Sequence, residues 1–222
     1  MFNADDFGLS PEINVAILEL AEKKALTSTT VMANLVQLKD IEKLKSLNIG
    51  IGLHLNLSDG RPISPANKVK SLVDKSGNFK KWPELLMGFL IGRVKKKHIE
   101  MEIIAQLETL KSYHIKISHA DSHKHLHQFP ILGPFILKVF KEQGIKKVRN
   151  CFPTHTNNLQ MKILNGFSLT SRHALKDFIK PDALFSYFSA FPESNYDNFN
   201  QSLKTMFVKY NRIEVILVMG SN

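Results

Sequence analysis

The sequence has little that would support a disulfide-stabilised, secreted or membrane-spanning protein. Its 222 residues include one cysteine, Cys151, which excludes an internal disulfide and a cysteine-rich zinc site. A lone cysteine is typical of a reducing compartment, so we expect a cytoplasmic protein. The longest apolar run, residues 85–92, is too short to cross a bilayer. The N-terminal residues also lack the basic start and apolar stretch of a secretory signal.

Acidic residues are scarce relative to basic ones: 20 Asp and Glu stand against 30 Lys and Arg, a net charge of +10. A basic protein attracts phosphates, which raises the question of a nucleic-acid partner. However, the lysines are spread along the chain, and the densest run, residues 93–97 (RVKKK), has no interleaved aromatic residues. We therefore expect a solvated helix face and no nucleic-acid partner.

Strand-like and helix-like segments alternate along what we expect to be a single domain, residues 1–222. We expect strands at 28–36, 48–58, 116–123, 146–150 and 212–218, and helices at 11–24, 39–47, 83–113 (broken near 88–92) and 130–144. This order is typical of parallel βα units, which form either a closed barrel or an open doubly wound sheet.

Three polar segments lie where expected strands end: residues 3–8 (NADDFG), 52–58 (GLHLNLS) and 119–127 (HADSHKHLH). Ligands bind at the carboxyl ends of parallel strands in both architectures. The chain twists where a strand ends, so Asp5 and Asp6 can reach the same pocket in different roles, one binding metal and one carrying a proton. Two histidines and a carboxylate are a common catalytic metal set, here Asp6, His54 and one histidine of the third segment.

Less specific interpretations of the same residues remain open. His54 interrupts an apolar strand, and a hydrogen-bonded core histidine would also satisfy that position. The HEXXH spacing of zinc proteases is absent. The candidate ligands instead come from three distant strands, as barrel hydrolases often arrange them.

Five segments together resemble the YdjC-like carbohydrate deacetylases, in the same order along nearly the whole chain. They are NADDFGLS (3–10), TSTTVMANL (27–35), GLHLNLSDGRPISP (52–65), SLVDKSGNF (71–79) and SHADSHKHLHQFP (118–130). The resemblance implies a (β/α) barrel-like fold related to the TIM barrel, and common homodimers. It also implies hydrolysis of the N-acetyl group of an acetylated amino sugar or oligosaccharide, such as those derived from chitin.

The resemblance also implies roles for individual residues. The metal ligands would be Asp6, His54 and His123, and the catalytic base would be Asp5. The metal is generally magnesium in this family, although two imidazoles suit Zn²⁺ or Co²⁺ at least as well. Arg149 would orient the base, with a surface salt bridge as the alternative.

Several further residues are candidates for the surroundings of this site. Asn56 would either bind a sugar hydroxyl or satisfy loop backbone, and His125 and His127 would fix ligand orientation or line the sugar cleft. His119 could also have either of these two roles. Trp82 and Phe129 could stack on a sugar ring or belong to the core.

The sequence departs from the family pattern in its last residues and its first strand. Relatives carry a late histidine-proline pair where this chain has Val218 and Met219, and they begin with a full apolar strand where this chain offers Met1 and Phe2. We therefore expect a barrel that is incomplete at both ends. These departures raise the alternative of a non-catalytic remnant that binds metal or sugar. Separately, the same three ligands could serve a metal-dependent phosphoesterase, although such enzymes often use two metals and more carboxylates.

Overall fold

The computed structural model describes residues 1–153, 159–186 and 196–217. Over these ranges the chain has an α/β fold built on a six-stranded sheet in which all pairings are parallel. The strands are β1 (Phe2–Phe7), β2 (Ser28–Val31), β3 (Gly50–Leu55), β4 (Ala120–Ser122), β5 (Ala183–Ser186) and β6 (Ile213–Leu217). Their order across the sheet is β4-β3-β2-β1-β6-β5. The parallel α/β architecture predicted from the alternation is confirmed.

Helices connect the strands in the manner of βα units. They are α1 (Pro11–Glu22), α2 (Leu38–Lys45), α3 (Trp82–Leu90), α4 (Lys96–Ser112), α5 (Leu132–Glu142), α6 (Leu159–Ser171) and α7 (Tyr196–Lys209). The predicted start of α1 is confirmed: Ser10 Oγ accepts a hydrogen bond from Ile13 N, and Pro11 lies in the first turn. The break expected in the long helical region separates α3 from α4. In the described part of the chain, no helix has the length and apolarity needed to cross a membrane.

Residues 147–153 contact both edges of the sheet. Ala120 N of β4 donates to Lys147 O (2.9 Å), and Leu184 N of β5 donates to Phe152 O (2.7 Å). The segment forms isolated bridges rather than the short strand predicted at 146–150, because its partners change from β4 to the residues around β5 within a few positions. The parallel half-barrel formed by the six strands is thus linked across its two edges through this segment.

A large apolar cluster fills the space between the sheet and its helices. Within it, two buried polar residues of α4 support the loop that follows β3. Glu102 accepts hydrogen bonds from the backbone N of Ile63 (3.0 Å) and Ser64 (2.9 Å). Gln106 Nε2 donates to Asn56 O (2.6 Å), and Asn56 N donates to Gln106 Oε1 (3.1 Å). Because Glu102 and Gln106 are buried, their hydrogen bonds fix the position of the loop relative to the sheet.

Two further strand predictions need correction. The strand expected at 28–36 ends at Val31, because Leu35 N and Val36 N donate back to Met32 O and form a turn. The first strand is not reduced to Met1 and Phe2: β1 runs to Phe7 and pairs with both β2 and β6. Asp5 and Asp6 therefore lie inside this strand and not in a loop after it.

Candidate metal centre and catalytic carboxylate

Asp5 and Asp6 occupy an irregular part of β1. The register of β1 with β2 shifts between Ala4 and Phe7, and Asp6 has a φ of +66°. This left-handed conformation costs a non-glycine residue about 1–3 kcal/mol. Adjacent side chains of a regular strand point to opposite faces, and a bulge changes that alternation. Asp6 Oδ1 lies 3.0 Å from His54 Nε2, and a carboxylate oxygen of Asp5 lies within 4.8 Å of a ring nitrogen of His54.

The structure brings together the three predicted metal ligands. Asp6 Oδ1 lies 3.0 Å from His54 Nε2 and 2.9 Å from His123 Nδ1. Burial raises the pKa of Asp6, but hydrogen bonds from His123 and His54 outweigh burial and hold that pKa well below its usual value. The charged carboxylate therefore persists between two imidazoles.

These donors fit a divalent metal ion on their chemistry. The Asp6 side chain is 14% exposed, against 3% for His54 and 9% for His123, so the group is enclosed but reachable from solvent. One carboxylate and two imidazoles form the donor set of many catalytic zinc sites, with further positions left for water. Magnesium prefers oxygen ligands, so the nitrogen donors favour Zn²⁺ or Co²⁺ on chemistry alone.

A short 3-10 turn, residues 123–128, separates the histidines of the 119–127 segment. Lys124 and His125 both have φ of +54°, so successive imidazoles point in different directions. His123 faces Asp6, whereas His127 accepts from Ser122 Oγ at Nδ1 (2.6 Å) and donates from Nε2 to Arg149 O (3.2 Å). The segment thus contributes one residue to the donor set.

Asp121 contacts the ring nitrogen of His54 that faces away from Asp6. The sequence did not assign a role to Asp121. His54 Nδ1 lies 2.7 Å from Asp121 Oδ1, and Thr30 Oγ1 donates to Asp121 Oδ2 (3.2 Å). Burial lowers the pKa of His54, but Asp121, Asp6 and Asp5 outweigh burial and raise it to about 10. The register of the sheet could have revealed this contact, because His54 and Asp121 are direct partners in the pairing of β3 with β4.

Arg149 is the centre of a buried ion-pair network that includes Asp5. Its Nη1 and Nη2 donate to Asp5 Oδ2 and Oδ1, both at 2.7 Å. Nη1 also lies 2.7 Å from Asp121 Oδ2, and Nη2 lies 2.7 Å from Glu214 Oε1. Arg149 is 1% exposed, so the alternative of a surface salt bridge is wrong.

Glu214 is a further member of this network that the sequence did not reveal. Burial raises the pKa of Glu214, and the nearby Arg149 offsets part of that rise. Its Oε1 accepts from Nε (2.9 Å) and Nη2 of Arg149, while Oε2 has no hydrogen-bond partner among the described residues. One guanidinium therefore shares its charge among three buried carboxylates.

Asn56 supports loop backbone, so the sugar-binding alternative loses its physical basis. Its Oδ1 accepts from Ser58 N (3.0 Å) and Asp59 N (3.1 Å), and its Nδ2 donates to Asn34 Oδ1 (3.0 Å) and Asp59 O (2.8 Å). These four bonds use the full capacity of the amide. Asn56 is also fully buried.

The other histidines of the segment lie around the network. His119 Nε2 donates to Asn3 Oδ1 (3.2 Å), and Asn3 Nδ2 donates to Asp5 Oδ1 (2.8 Å), so His119 supports the orientation of Asp5. Burial lowers the pKa of His119 and of His125 to about 4 and that of His127 to about 3. His125 is partly buried, and its Nδ1 has no hydrogen-bond partner within the described ranges.

Two other sets of residues named from the sequence, the aromatic rings and the last residues of the chain, do not take part in the contacts described above. Trp82 and Phe129 form a row of tilted rings with Phe167, with centroid separations of 5.9 and 4.5 Å, and Trp82 is 39% exposed. Val218 and Met219, which stand where relatives have a histidine-proline pair, lie outside the described residues.

The arrangement can activate water. Asp6, His54 and His123, which could hold a metal ion, lie beside Asp5. Hydrogen bonds from Arg149 and Asn3 fix the orientation of the Asp5 carboxylate. A metal ion at such donors acidifies water, and a positioned carboxylate can accept the proton.

Curated proteins with similar sequences share one name. The chain is 35% identical over 147 residues to the carbohydrate deacetylase of Clostridium beijerinckii, 37% over 155 to that of Geobacillus stearothermophilus and 33% over 171 to that of Brevibacillus brevis. The alignments cover 65%, 68% and 75% of this chain but 57%, 60% and 66% of the relatives. The chain thus spans less than two thirds of the length of the curated relatives it matches.

A solved structure shares the fold over the whole chain. It is an Enterococcus faecalis V583 protein provisionally described as a cellobiose-phosphate cleavage protein, with a TM-score of 0.76 and 24% identity. The superposition covers 100% of this chain and 81% of that protein. A family model described as YdjC-like protein matches residues 1–219, and on this match the chain belongs to the YdjC-like family.

Proposed function

We propose that this protein is a metal-dependent hydrolase that removes N-acetyl groups from acetylated amino sugars or oligosaccharides of the chitin type. The observation that carries the proposal is the juxtaposition of the Asp6–His54–His123 donor set with Asp5, whose carboxylate is fixed by Arg149. Relatives that are named carbohydrate deacetylases support the substrate class. Magnesium follows from the family resemblance, while the donor chemistry favours Zn²⁺ or Co²⁺.

In this proposal Asp5 is the general base. Its Oδ1 accepts from both Arg149 Nη2 and Asn3 Nδ2, whereas Oδ2 accepts from Arg149 Nη1. Oδ2 therefore keeps more capacity for another hydrogen bond and is the oxygen that takes a proton from the attacking water. The same carboxylic acid can then return that proton to the leaving nitrogen, which completes hydrolysis to acetate and free amine.

The metal ligands have complementary tasks. A divalent metal at these donors would acidify water and polarise the acetamide carbonyl. Asp6 contributes negative charge, His54 is fixed by Asp121, and His123 enters from the turn after β4. Asp121 and Arg149 therefore act through the residues that they orient.

A two-metal phosphoesterase has less support from the geometry. Asp5, His54 and Asp121 also lie close enough together to form a second donor group. However, Arg149 Nη1 lies 2.7 Å from both Asp5 Oδ2 and Asp121 Oδ2. The positive guanidinium occupies the position that a second cation would need.

The remaining parts of the proposal concern the whole protein. We infer that the half-barrel and residues 147–153 belong to one (β/α) barrel, as a single domain, with its site at the carboxyl ends of the strands. His125, which is partly buried, is proposed to line the sugar cleft. Cytoplasmic location and a homodimer stay predictions, and light scattering of the purified protein measures the oligomeric state directly.

Acetate release from N-acetylglucosamine oligomers tests this function. We expect release by the wild-type protein and a loss of at least about 100-fold in Asp5→Asn, since general base catalysis contributes on that order. Glu108→Gln, which alters an exposed residue on α4, serves as the control and should retain full activity. Equal release by Asp5→Asn and wild type would make the assignment of the base wrong. Release of phosphate from p-nitrophenyl phosphate without any acetate release would favour the phosphoesterase, and metal binding without either product would favour the remnant.

A further inference from the structure

Each histidine of the donor set has a carboxylate at its second ring nitrogen. His54 turns Nε2 to Asp6 and Nδ1 to Asp121, at 3.0 and 2.7 Å. His123 turns Nδ1 to Asp6 and Nε2 to Asp59 Oδ2, at 2.9 and 3.3 Å. The two imidazoles thus use opposite nitrogens toward Asp6, and each has a separate carboxylate behind it.

Asp59 differs from Asp121 in its exposure. The Asp121 side chain is fully buried, whereas the Asp59 side chain is 36% exposed. Even so, the backbone of Asp59 is fixed: its N donates to Asn56 Oδ1 (3.1 Å), and its O accepts from the side chains of Asn56 (2.8 Å) and Asn34 (3.0 Å). These contacts determine where the Asp59 carboxylate lies.

The carboxylate itself has one further contact that limits its rotation. Ser58 Oγ donates to Asp59 Oδ2 at 2.7 Å, the same oxygen that lies near His123 Nε2. The position of Asp59 toward His123 therefore follows from the loop after β3 and does not depend on a freely rotating surface side chain.

We propose that Asp59 is a positioning residue for His123: it accepts the Nε2 proton, so that when a metal ion replaces the proton that Nδ1 donates to Asp6, His123 is held as the tautomer whose Nδ1 lone pair binds the metal. A neutral imidazole carries its proton on one nitrogen, and a hydrogen bond at that nitrogen leaves the other free to bind a metal. This inference rests on the proposed metal centre. It concerns the orientation of His123 and the strength of metal binding, and it assigns Asp59 no contact with the substrate.

Metal affinity tests the inference without reference to activity. We expect Asp59→Ala to weaken Zn²⁺ binding, measured by isothermal titration calorimetry, by about 10- to 100-fold, the usual effect of removing such a partner. Asp59→Asn keeps an oxygen that can accept the Nε2 proton, so its loss should be smaller than that of Asp59→Ala. Glu108→Gln removes an exposed carboxylate that contacts Lys111 on α4, and it should bind like the wild type. Thermal unfolding of each metal-free variant shows whether it is folded.

The imidazole nitrogens provide a second readout that general destabilisation would not reproduce. In Zn²⁺-loaded protein with ¹⁵N-labelled histidine, the wild type should show the His123 proton on Nε2 and the metal-induced shift at Nδ1. Asp59→Ala should show faster exchange of that Nε2 proton or a second imidazole form. Asp59→Asn should retain the wild-type pattern, because it retains the acceptor.

His54→Ala separates a failure of this inference from a failure of the proposed function. If His54→Ala loses Zn²⁺ binding while Asp59→Ala binds within twofold of wild type, the role of Asp59 is wrong and the metal centre stands. If neither variant changes the affinity, the metal centre itself is wrong. The inference is supported when both variants bind more weakly and Glu108→Gln does not.

Discussion

Replacing Arg149 with methionine should be one of the most damaging single changes to the stability of this protein. The side chain is 1% exposed and donates to Asp5, lies against Asp121 and donates to Glu214, with its closest contacts at 2.7 Å. Methionine approximates the length of the aliphatic part of the arginine side chain but leaves three buried carboxylates without a cation. Breaking one buried ion pair by removing a partner costs about 3–5 kcal/mol. We therefore expect Arg149→Met to lower the free energy of unfolding by at least about 3 kcal/mol.

The loss should depend on pH with a defined sign. In the wild type, burial raises the pKa of Asp121 but Arg149 and His54 outweigh burial and hold that pKa below its usual value of 3.8. The resulting stabilisation is present above pH 3.8 and is lost as pH falls further. Without Arg149 the carboxylates can be neutralised by protons, so the difference between variant and wild type should shrink as pH is lowered from 8 toward about 5.

Urea unfolding of the metal-free protein measures these free energies, and two controls sharpen the result. Arg212→Met removes an exposed pair with Asp182 (3.2 Å) and should cost less than about 1 kcal/mol. Glu214→Gln removes one of the three negative charges, so the double variant Arg149→Met/Glu214→Gln should be less destabilised than the sum of its parts, by about 1–3 kcal/mol. A cost of Arg149→Met equal to that of Arg212→Met, or additive effects in the cycle, would refute the reasoning about the network.

Other predictions follow from the surroundings of the site. The pKa of His54 is raised to about 10, so the metal-free protein should lose stability in urea as pH rises from 6.5 toward 10, and a flat profile would contradict this. Zn²⁺ must displace that proton, so calorimetry in buffers of different ionisation enthalpy should show proton release at pH 7.5, and none would mean that His54 binds no metal. Gly52→Ala should destabilise the protein, because a Cβ there would lie 2.7 Å from the His119 ring; unchanged urea unfolding would count against the packing. His125→Leu replaces an Nδ1 that has no hydrogen-bond partner among the described residues, so it should leave stability within about 1 kcal/mol while raising the KM for oligosaccharide; an unchanged KM would exclude a contact between His125 and the sugar.

Much of the fold could be predicted because local sequence and global architecture agree. The Ser10–Pro11 start of α1, the apolar strands and the alternation of strand and helix each specify an element without knowledge of the rest. Since parallel strands end at one edge of a sheet, Asp6, His54 and one histidine of residues 119–127 could be expected to meet. The family resemblance named His123 as that histidine, and the structure places the three together.

The parts that could not be predicted depend on side-chain directions and on distant contacts. The turn at Met32 ends β2 earlier than its apolar sequence suggests. The family resemblance named Arg149 as the residue that orients Asp5, but its contacts with Asp121 and Glu214 could not be predicted. Glu214 lies in a strand that pairs with β1 only through the tertiary fold. Asp59 was unassigned because its approach to His123 depends on the loop that Asn56 fixes.

The support around His123 and Asp5 has different physical origins. Asp5 is fixed by buried groups, namely Arg149 and Asn3, whereas His123 is fixed by a residue that remains partly exposed. Changes at the buried groups should therefore affect folding and activity together. Changes at Asp59 should affect metal binding with little effect on folding.

Acetate release by chelator-treated protein as metal is added back tests the central claim most directly. The account predicts no release from N-acetylglucosamine oligomers after chelation, recovery that saturates at one Zn²⁺, Co²⁺ or Mg²⁺ ion per chain, and no recovery in His123→Ala. Full acetate release in the presence of chelator, or equal recovery by His123→Ala, would contradict it.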